Sequence, residues 1–251
     1  MKGKYADLCV TNASAKVAET AAKLGWSHIC FARDLKSESF KTFAQEARCL
    51  ETKDLSVYVG AIISSNIAEN ARRALEHADL VIVEAAGEEA FRQASESHEV
   101  DLIVGAEKYV ERDPMDFRGS GLDHVMMKFM AERKIGYAIK FSDILASYGG
   151  GRIQLLGRIR QNIKLAVKYK VSVVGISGAA SEYELRGPLE MAAYLSYLGL
   201  GQTAEKAVSD NPLRLLQKSE DRKNPDVITE GVKVVDWGGQ QKKPKKKHGW
   251  Y

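Results

Sequence analysis

Two carboxylates stand where a repeated βα chain could use them for chemistry. Glu84 ends the apolar run LVIVEA and Glu107 ends LIVGAE. The downstream ends of strands are where barrel enzymes place general acids and bases. Lys108 and Lys140 lie close enough in such a fold to neutralise them, and that plainer reading is favoured. A glycine-containing turn, Gly175-Ile176-Ser177-Gly178-Ala179-Ala180-Ser181, follows another apolar run. Its backbone N–H groups could cradle a phosphate, or it could be a bare strand-to-helix connection. The histidines are His28, His77, His98, His124 and His248. None forms an HxH pair and none lies four residues from another, so no metal site is expected. Asp123-His124 reads as a helix start. Ser177-Gly178 is not a GxSxG elbow. Cys9, Cys30 and Cys49 include no CxxC pair and read as reduced, buried thiols. No catalytic residue is assigned.

The basic residues are more informative. The formal net charge is +4, but Lys242, Lys243, Lys245, Lys246 and Lys247 crowd the last 13 residues, where there is no acid. Residues 239–251 therefore read as a disordered Lys-rich tail. Without them the body is nearly neutral, and that neutrality hides an asymmetry. The 38 residues from Ile144 to Ser181 contain no Asp or Glu. They carry Arg152, Arg158, Arg160, Lys164, Lys168 and Lys170. Arg160, Lys164 and Lys168 recur every four residues, so they form one stripe on a helix. With no acid at i±4 they repel one another, which an anionic partner would relieve. Ile153, Leu156, Ile159, Ile163, Ala166 and Val167 are expected to be the buried face of that helix. Aromatic residues do not interleave with the cations along the chain. That argues against a stacking platform and for recognition of nucleic-acid backbone or shape.

The elements that must position these residues follow from the apolar runs. Seven of them begin near Ala6, His28, Ser56, Leu80, Leu102, Gly136 and Val171, and helical patterns separate them. Asn66 to Glu69 looks like a capping box. The runs are continuous rather than alternating, as expected of strands buried on both faces. Spaced by roughly 22 to 35 residues, they predict a parallel sheet closed as a TIM-barrel-like α/β barrel. Its eighth strand is degenerate or missing, because Leu198 to Leu200 is too short to serve. An open doubly wound sheet is the competing architecture, and no GxGxxG follows the first run to favour it. The expected organisation is one barrel-like domain over residues 1–238, with 226–238 as an appended extension. No apolar run reaches the ~18 residues of a membrane span, and no secretory signal is seen. The expectation is a cytoplasmic protein without a membrane partner.

The C-terminal half also carries a resemblance. Gly151-Arg152-Ile153-Gln154-Leu155-Leu156, Leu165 to Val171, Ile176-Ser177-Gly178-Ala179-Ala180, Tyr183-Glu184-Leu185-Arg186-Gly187-Pro188 and Ala204-Glu205-Lys206-Ala207 follow in that order. So ordered, the chain resembles the ribonuclease P protein component 3 family over roughly Asp79 to Pro212. Val100 to Ile103 and Gly121 to His124 also fit. Here Asp113-Pro114 is separated from Gly121 by an inserted Met115 to Ser120. The resemblance implies a barrel-like fold and a protein subunit of the enzyme that removes the 5′ leader of precursor tRNA. It implies an RNA subunit that carries the magnesium-dependent chemistry, with no cofactor on this chain. Implied partners are that RNA, a small RRM-like protein subunit, other ribonuclease P proteins and, indirectly, precursor tRNA. RNA contacts are then expected at Arg92, Arg112, Arg133, Arg152, Arg158, Lys168, Arg186 and Lys206, with Arg186 first. The alternative is a barrel enzyme acting on a small phosphorylated substrate, or a metal-dependent phosphoesterase.

Overall fold

Apolar runs without alternation need cover on both faces, and a barrel wrapped in helices supplies it. The computed structural model describes residues 4–109, 119–229 and 232–238. Arg112, most of the Met115 to Ser120 insertion and the Lys-rich tail lie outside them. Seven strands, β1 (Ala6–Val10), β2 (His28–Asp34), β3 (Ser56–Ile63), β4 (Leu80–Val83), β5 (Leu102–Val104), β6 (Gly136–Lys140) and β7 (Val173–Ile176), pair parallel in sequence order. The outer helices are α1 (Ala15–Leu24), α2 (Phe40–Arg48), α3 (Ile67–Ala74), α4 (Glu88–Glu96), α5 (His124–Arg133), α6 (Phe141–Ala146), α7 (Gly149–Tyr169), α8 (Pro188–Leu195) and α9 (Asp210–Lys223). A short antiparallel pair, β8 (Val227–Thr229) and β9 (Val232–Lys233), follows.

Alternate strand residues divide the core in two. Leu8, Cys30, Ala32, Leu80, Ile82, Leu102, Val104, Ala138, Val174 and Ile176 fill the barrel interior. Ile29, Phe31, Val59, Val81, Val83, Ile103, Tyr137 and Ile139 pack outward against the helices. The interior is full. A Cβ at Gly60 would meet Cys30 Sγ at 3.0 Å and both Ala32 and Ile82 at 3.1 Å.

Among the described residues no eighth barrel strand forms, as the sequence predicts, and Leu198 to Leu200 belongs to a turn of π-helix, Ser196–Leu200. The gap between β7 and β1 is closed by other means. At the N-terminal end of the strands, Ala6 N–H donates to the Val208 carbonyl (3.0 Å) and Asn211 Nδ2 to the Val173 carbonyl (2.8 Å). At the other end, Gly178 N–H reaches the Cys9 carbonyl (2.9 Å) and Thr11 N–H the Ala179 carbonyl (2.8 Å). Between them lies the buried Asp7, whose Oδ1 accepts from Ser177 N–H (3.1 Å) and Cys9 N–H (3.3 Å). Burial pushes its carboxyl up to about 6, against the hydrogen bonds from Ser177.

Helix α9 seals the N-terminal end of the barrel. Leu215 and Leu216 join the interior cluster. Each of two aspartates just ahead of a strand ties down its neighbour: Asp79 Oδ2 accepts from Val59 N–H (2.7 Å) and Asp101 Oδ2 from Val81 N–H (3.0 Å). Both are ion-paired to α9, Asp101 to Arg222 (2.8 Å) and Lys218 (3.4 Å), and Asp79 to Lys223.

Three local expectations are corrected. Asn66 precedes α3 but does not cap it with its side chain; it sits in the left-handed region, φ 46°. Cys49 is exposed, not buried, because it ends α2 on its outer side. The buried face of α7 is Leu155, Arg158, Ile159, Asn162, Ile163 and Ala166, while Ile153 and Val167 are exposed. The helix is rotated from the apolar-only reading because Arg158 and Asn162 find polar partners inside.

Candidate nucleic-acid interface

At the C-terminal ends of the strands the carboxylates are engaged. Lys140 Nζ lies 2.9 and 3.0 Å from the two oxygens of Glu84, and Lys108 Nζ lies 3.4 Å from Glu84 and 2.5 Å from Asp143. Two carboxylates and two ammonium groups form one cluster, in which Asp143 Oδ2 is buried without a hydrogen-bond partner among the described residues. Burial pulls the Lys140 ammonium down, but Glu84 outweighs it and the net shift is upward. A lysine held so firmly protonated is a poor base. Glu107 is buried elsewhere, receiving the Tyr137 hydroxyl at 3.1 Å. Cys9 is held as a thiol, pushed up to about 12 by burial.

The glycine-containing turn after β7 has no N–H group to offer a phosphate over Ser177 to Ala180. Ser177 and Gly178 donate to Asp7 and Cys9 as above. Ala179 N–H donates to Ser177 Oγ (3.2 Å) and Ala180 N–H to Glu184 Oε2 (2.8 Å). Glycine at 178 is required: its φ is 63°, and a Cβ would lie 2.5 Å from Ser142 Oγ and 2.7 Å from Lys140 Cγ. Asp123 caps α5, accepting from Met126 N–H at 2.7 Å. Among the described residues, no group of three or more His, Cys, Asp and Glu is placed to hold a metal ion.

Several of the cations lie against aromatic rings. Arg152 sits over Tyr148 (5.3 Å), Arg160 over Tyr197 (5.1 Å), Lys168 over Tyr169 (5.4 Å) and Arg186 over Phe141 (5.7 Å). These distances are within reach of a cation–π interaction. Phe141 is in turn edge-on to Tyr194 (5.2 Å). Burial raises the Tyr194 phenol's pKa, with Arg152 and Arg160 opposing. The expectation that aromatics stay apart from the cations is therefore corrected: two pairs lie within α7 and its N-cap, and Arg160–Tyr197 and Arg186–Phe141 form between elements.

The family model for RNase P subunit p30 matches residues 4–224. The chain belongs to that family. The RNase P protein component 3 of Methanosarcina barkeri is 29% identical, over 94% of this chain and 98% of that protein. That of Methanosarcina acetivorans is 35% identical over 63% of this chain and 62% of that protein. In fold, the chain is similar to one in a cryo-EM structure of archaeal Ribonuclease P with mature tRNA, with a TM-score of 0.76 and 21% identity. That match covers 94% of this chain and 100% of the other. As an RNase P subunit p30 protein, the chain is a protein subunit of ribonuclease P, and the reading as a free-standing barrel enzyme gains no support.

Within this RNase P subunit the expected RNA contacts fare differently. Arg158 is corrected: it is 6% exposed and donates to the Glu107 carbonyl (3.2 Å), so it anchors α7 instead of facing a macromolecule. Arg92 is half-exposed and already bonded to Glu88 (3.0 Å) and Asp123 (2.9 Å). Arg152 holds the Ser147 carbonyl (2.7 Å) at the start of α7. Arg186 holds its own loop through the Tyr183 (2.8 Å) and Leu185 (2.7 Å) carbonyls. Arg133 packs over Phe129 (5.2 Å) at the end of α5. Lys168 and Lys206 are exposed, on α7 and on the 3-10 turn Gly201–Ala207. Arg186 lies over Phe141, the ring edge-on to Tyr194, while Arg92, Arg133 and Lys206 stand on separate elements.

Proposed function

We propose that the chain is a non-catalytic subunit that supports the RNase P RNA in removing the 5′ leader of precursor tRNA in the cytoplasm. The RNA subunit carries the magnesium-dependent step, and this barrel presents a cationic flank to it. The observation that carries the reading is the strand-end ion set. Glu84 is ion-paired to Lys140 and Lys108, and Asp143 to Lys108, so the lysines at the strand ends are held as cations and Glu84 as a carboxylate. The acid-free α7 supplies the RNA-facing charge. The stretch from Tyr148 to Leu189 adds exposed Tyr148, Ile153, Tyr183 and Leu189 beside Arg152 and Arg186. Exposed tyrosine beside arginine is what protein-binding surfaces are enriched in, which suits the small RRM-like subunit.

Reconstituting precursor-tRNA cleavage with and without this chain tests the reading. Omission should slow cleavage, and binding of the chain to the RNA should weaken steeply with salt. The double variant Glu84→Gln/Lys140→Met removes both members of a pair, so no charge is stranded. Cleavage by complexes containing it should stay within about twofold of wild type. Loss of a general acid or base costs about 10²–10⁴-fold, and a fall of that size in an assembled complex would overturn the proposal.

A further inference from the structure

One cationic groove is not explained by the packing of the barrel. It runs between the middle of α7 and the π-turn Ser196–Leu200, with a volume of about 580 Å³. Arg160, Gln161 and Lys164 form one wall, and Tyr197 and Gly199 the other. No carboxylate lines it among the described residues. Lys164 is exposed and has no ion-pair partner among the described residues. Tyr197 is 73% exposed, an unusual place for so large a ring. The Arg160 guanidinium is held over that ring and donates to the Tyr197 carbonyl at 3.4 Å. Gly199, at φ 125°, breaks the helical run beside it in a conformation that other residues avoid.

A second cationic groove, at the N-terminal ends of the strands, has a simpler cause. Lys134 and Lys170 there occupy the C-cap positions of α5 and α7, where the helix dipole favours a cation. Glu132 and Asp221 line the same groove. Arg160 and Lys164 lie in the middle of α7, where no such dipole effect reaches them.

We propose that the α7–Tyr197 groove binds an unpaired segment of RNA, with one base stacked on Tyr197 and the flanking phosphates on Arg160 and Lys164. This deepens the reading of the chain as an RNase P subunit and rests on it. A base needs a flat, exposed ring with a cation beside it, and the groove has both. The lining carries two cations and no carboxylate among the described residues, which suits a polyanion; its aliphatic residues, Ile163 and Leu198, are each 1% exposed, so Tyr197 is the flat surface it offers. Stacking accepts any base, so the site should show little sequence preference.

The test uses the reconstituted complex of RNA and protein subunits, with base-modification footprinting and RNA affinity measured over a range of salt. Wild type should protect a short unpaired run. Tyr197→Ala should abolish that protection and weaken RNA binding about tenfold, while Tyr197→Phe, which keeps the ring, should retain both. Lys164→Gln should lower the slope of log affinity against log salt by about one. Wild-type protection that persists unchanged in Tyr197→Ala overturns the groove and leaves the subunit role standing. So does a Tyr197→Ala complex that loses a protein subunit while its RNA footprint stays intact, because the occupant is then a protein. If the wild-type chain protects no RNA and cleavage proceeds equally without it, both the groove and the subunit reading fall.

Discussion

Asp101→Ala is expected to destabilise the chain by about 3–5 kcal/mol, the range for stranding buried charge. Asp101 is fully buried and is shared by Arg222, whose side chain is 5% exposed, and Lys218. Removing the carboxylate leaves two cations facing each other beneath the barrel and frees the Val81 N–H it accepts from. The sealing helix α9 should then lose its hold, and with it Leu215 and Leu216 in the interior. Lys218→Met should cost far less, about 1 kcal/mol, because the Arg222–Asp101 pair survives. Burial pushes the Asp101 carboxyl up, but Arg222 and Lys218 outweigh it and hold it below its ordinary 3.8. Its contribution is thus complete above that value and is lost as pH falls through the lowered one. Urea unfolding of the isolated chain at neutral pH measures the effect. A loss under about 1 kcal/mol for Asp101→Ala would show that α9 is held by its leucines alone.

The contrast between what the sequence shows and what it hides follows from where each partner sits. All seven strands are legible because a strand covered on both faces has to be continuously apolar, as in Leu80–Val83 and Val173–Ile176. The missing eighth strand is legible for the same reason, since nothing after β7 has that pattern. What fills its place is not. Val208 and Asn211 close the gap through a main-chain carbonyl and a side-chain amide, which leave no hydrophobic signature. The face of α7 was misread because Arg158 and Asn162 turn inward. Their partners, the Glu107 and Ser120 carbonyls, are 51 and 42 residues upstream. The turn after β7 looked open to a phosphate because Asp7, which takes one of its N–H groups, is 170 residues away. Tyr197 had no visible link to Arg160, 37 residues before it. Local pattern reports burial, and only the folded chain reports which distant polar groups meet.

Glu107→Gln is expected to make the chain more stable than wild type by about 3 kcal/mol above pH 7. Glu107 is 2% exposed, and burial pushes its carboxyl from 4.5 up to about 7, against its backbone hydrogen bond and the Tyr137 hydroxyl. The folded chain therefore keeps this proton between about 4.5 and 7, where the unfolded chain has released it. Stability from this group is whole below 4.5, declines as pH rises through that window, and is gone above 7. Glutamine keeps an oxygen for the Tyr137 hydroxyl and never ionises, so it should remove this decline. Asp7, raised to about 6 by burial, should leave a residual decline that ends near pH 6 in the variant and near pH 7 in wild type. The site also bears on the RNA-facing surface, since the Glu107 carbonyl receives Arg158 and so anchors α7. Urea denaturation of both proteins at pH 5, 6, 7 and 8 checks the prediction. Two parallel curves across that range would mean that Glu107 is ionised in the fold at neutral pH.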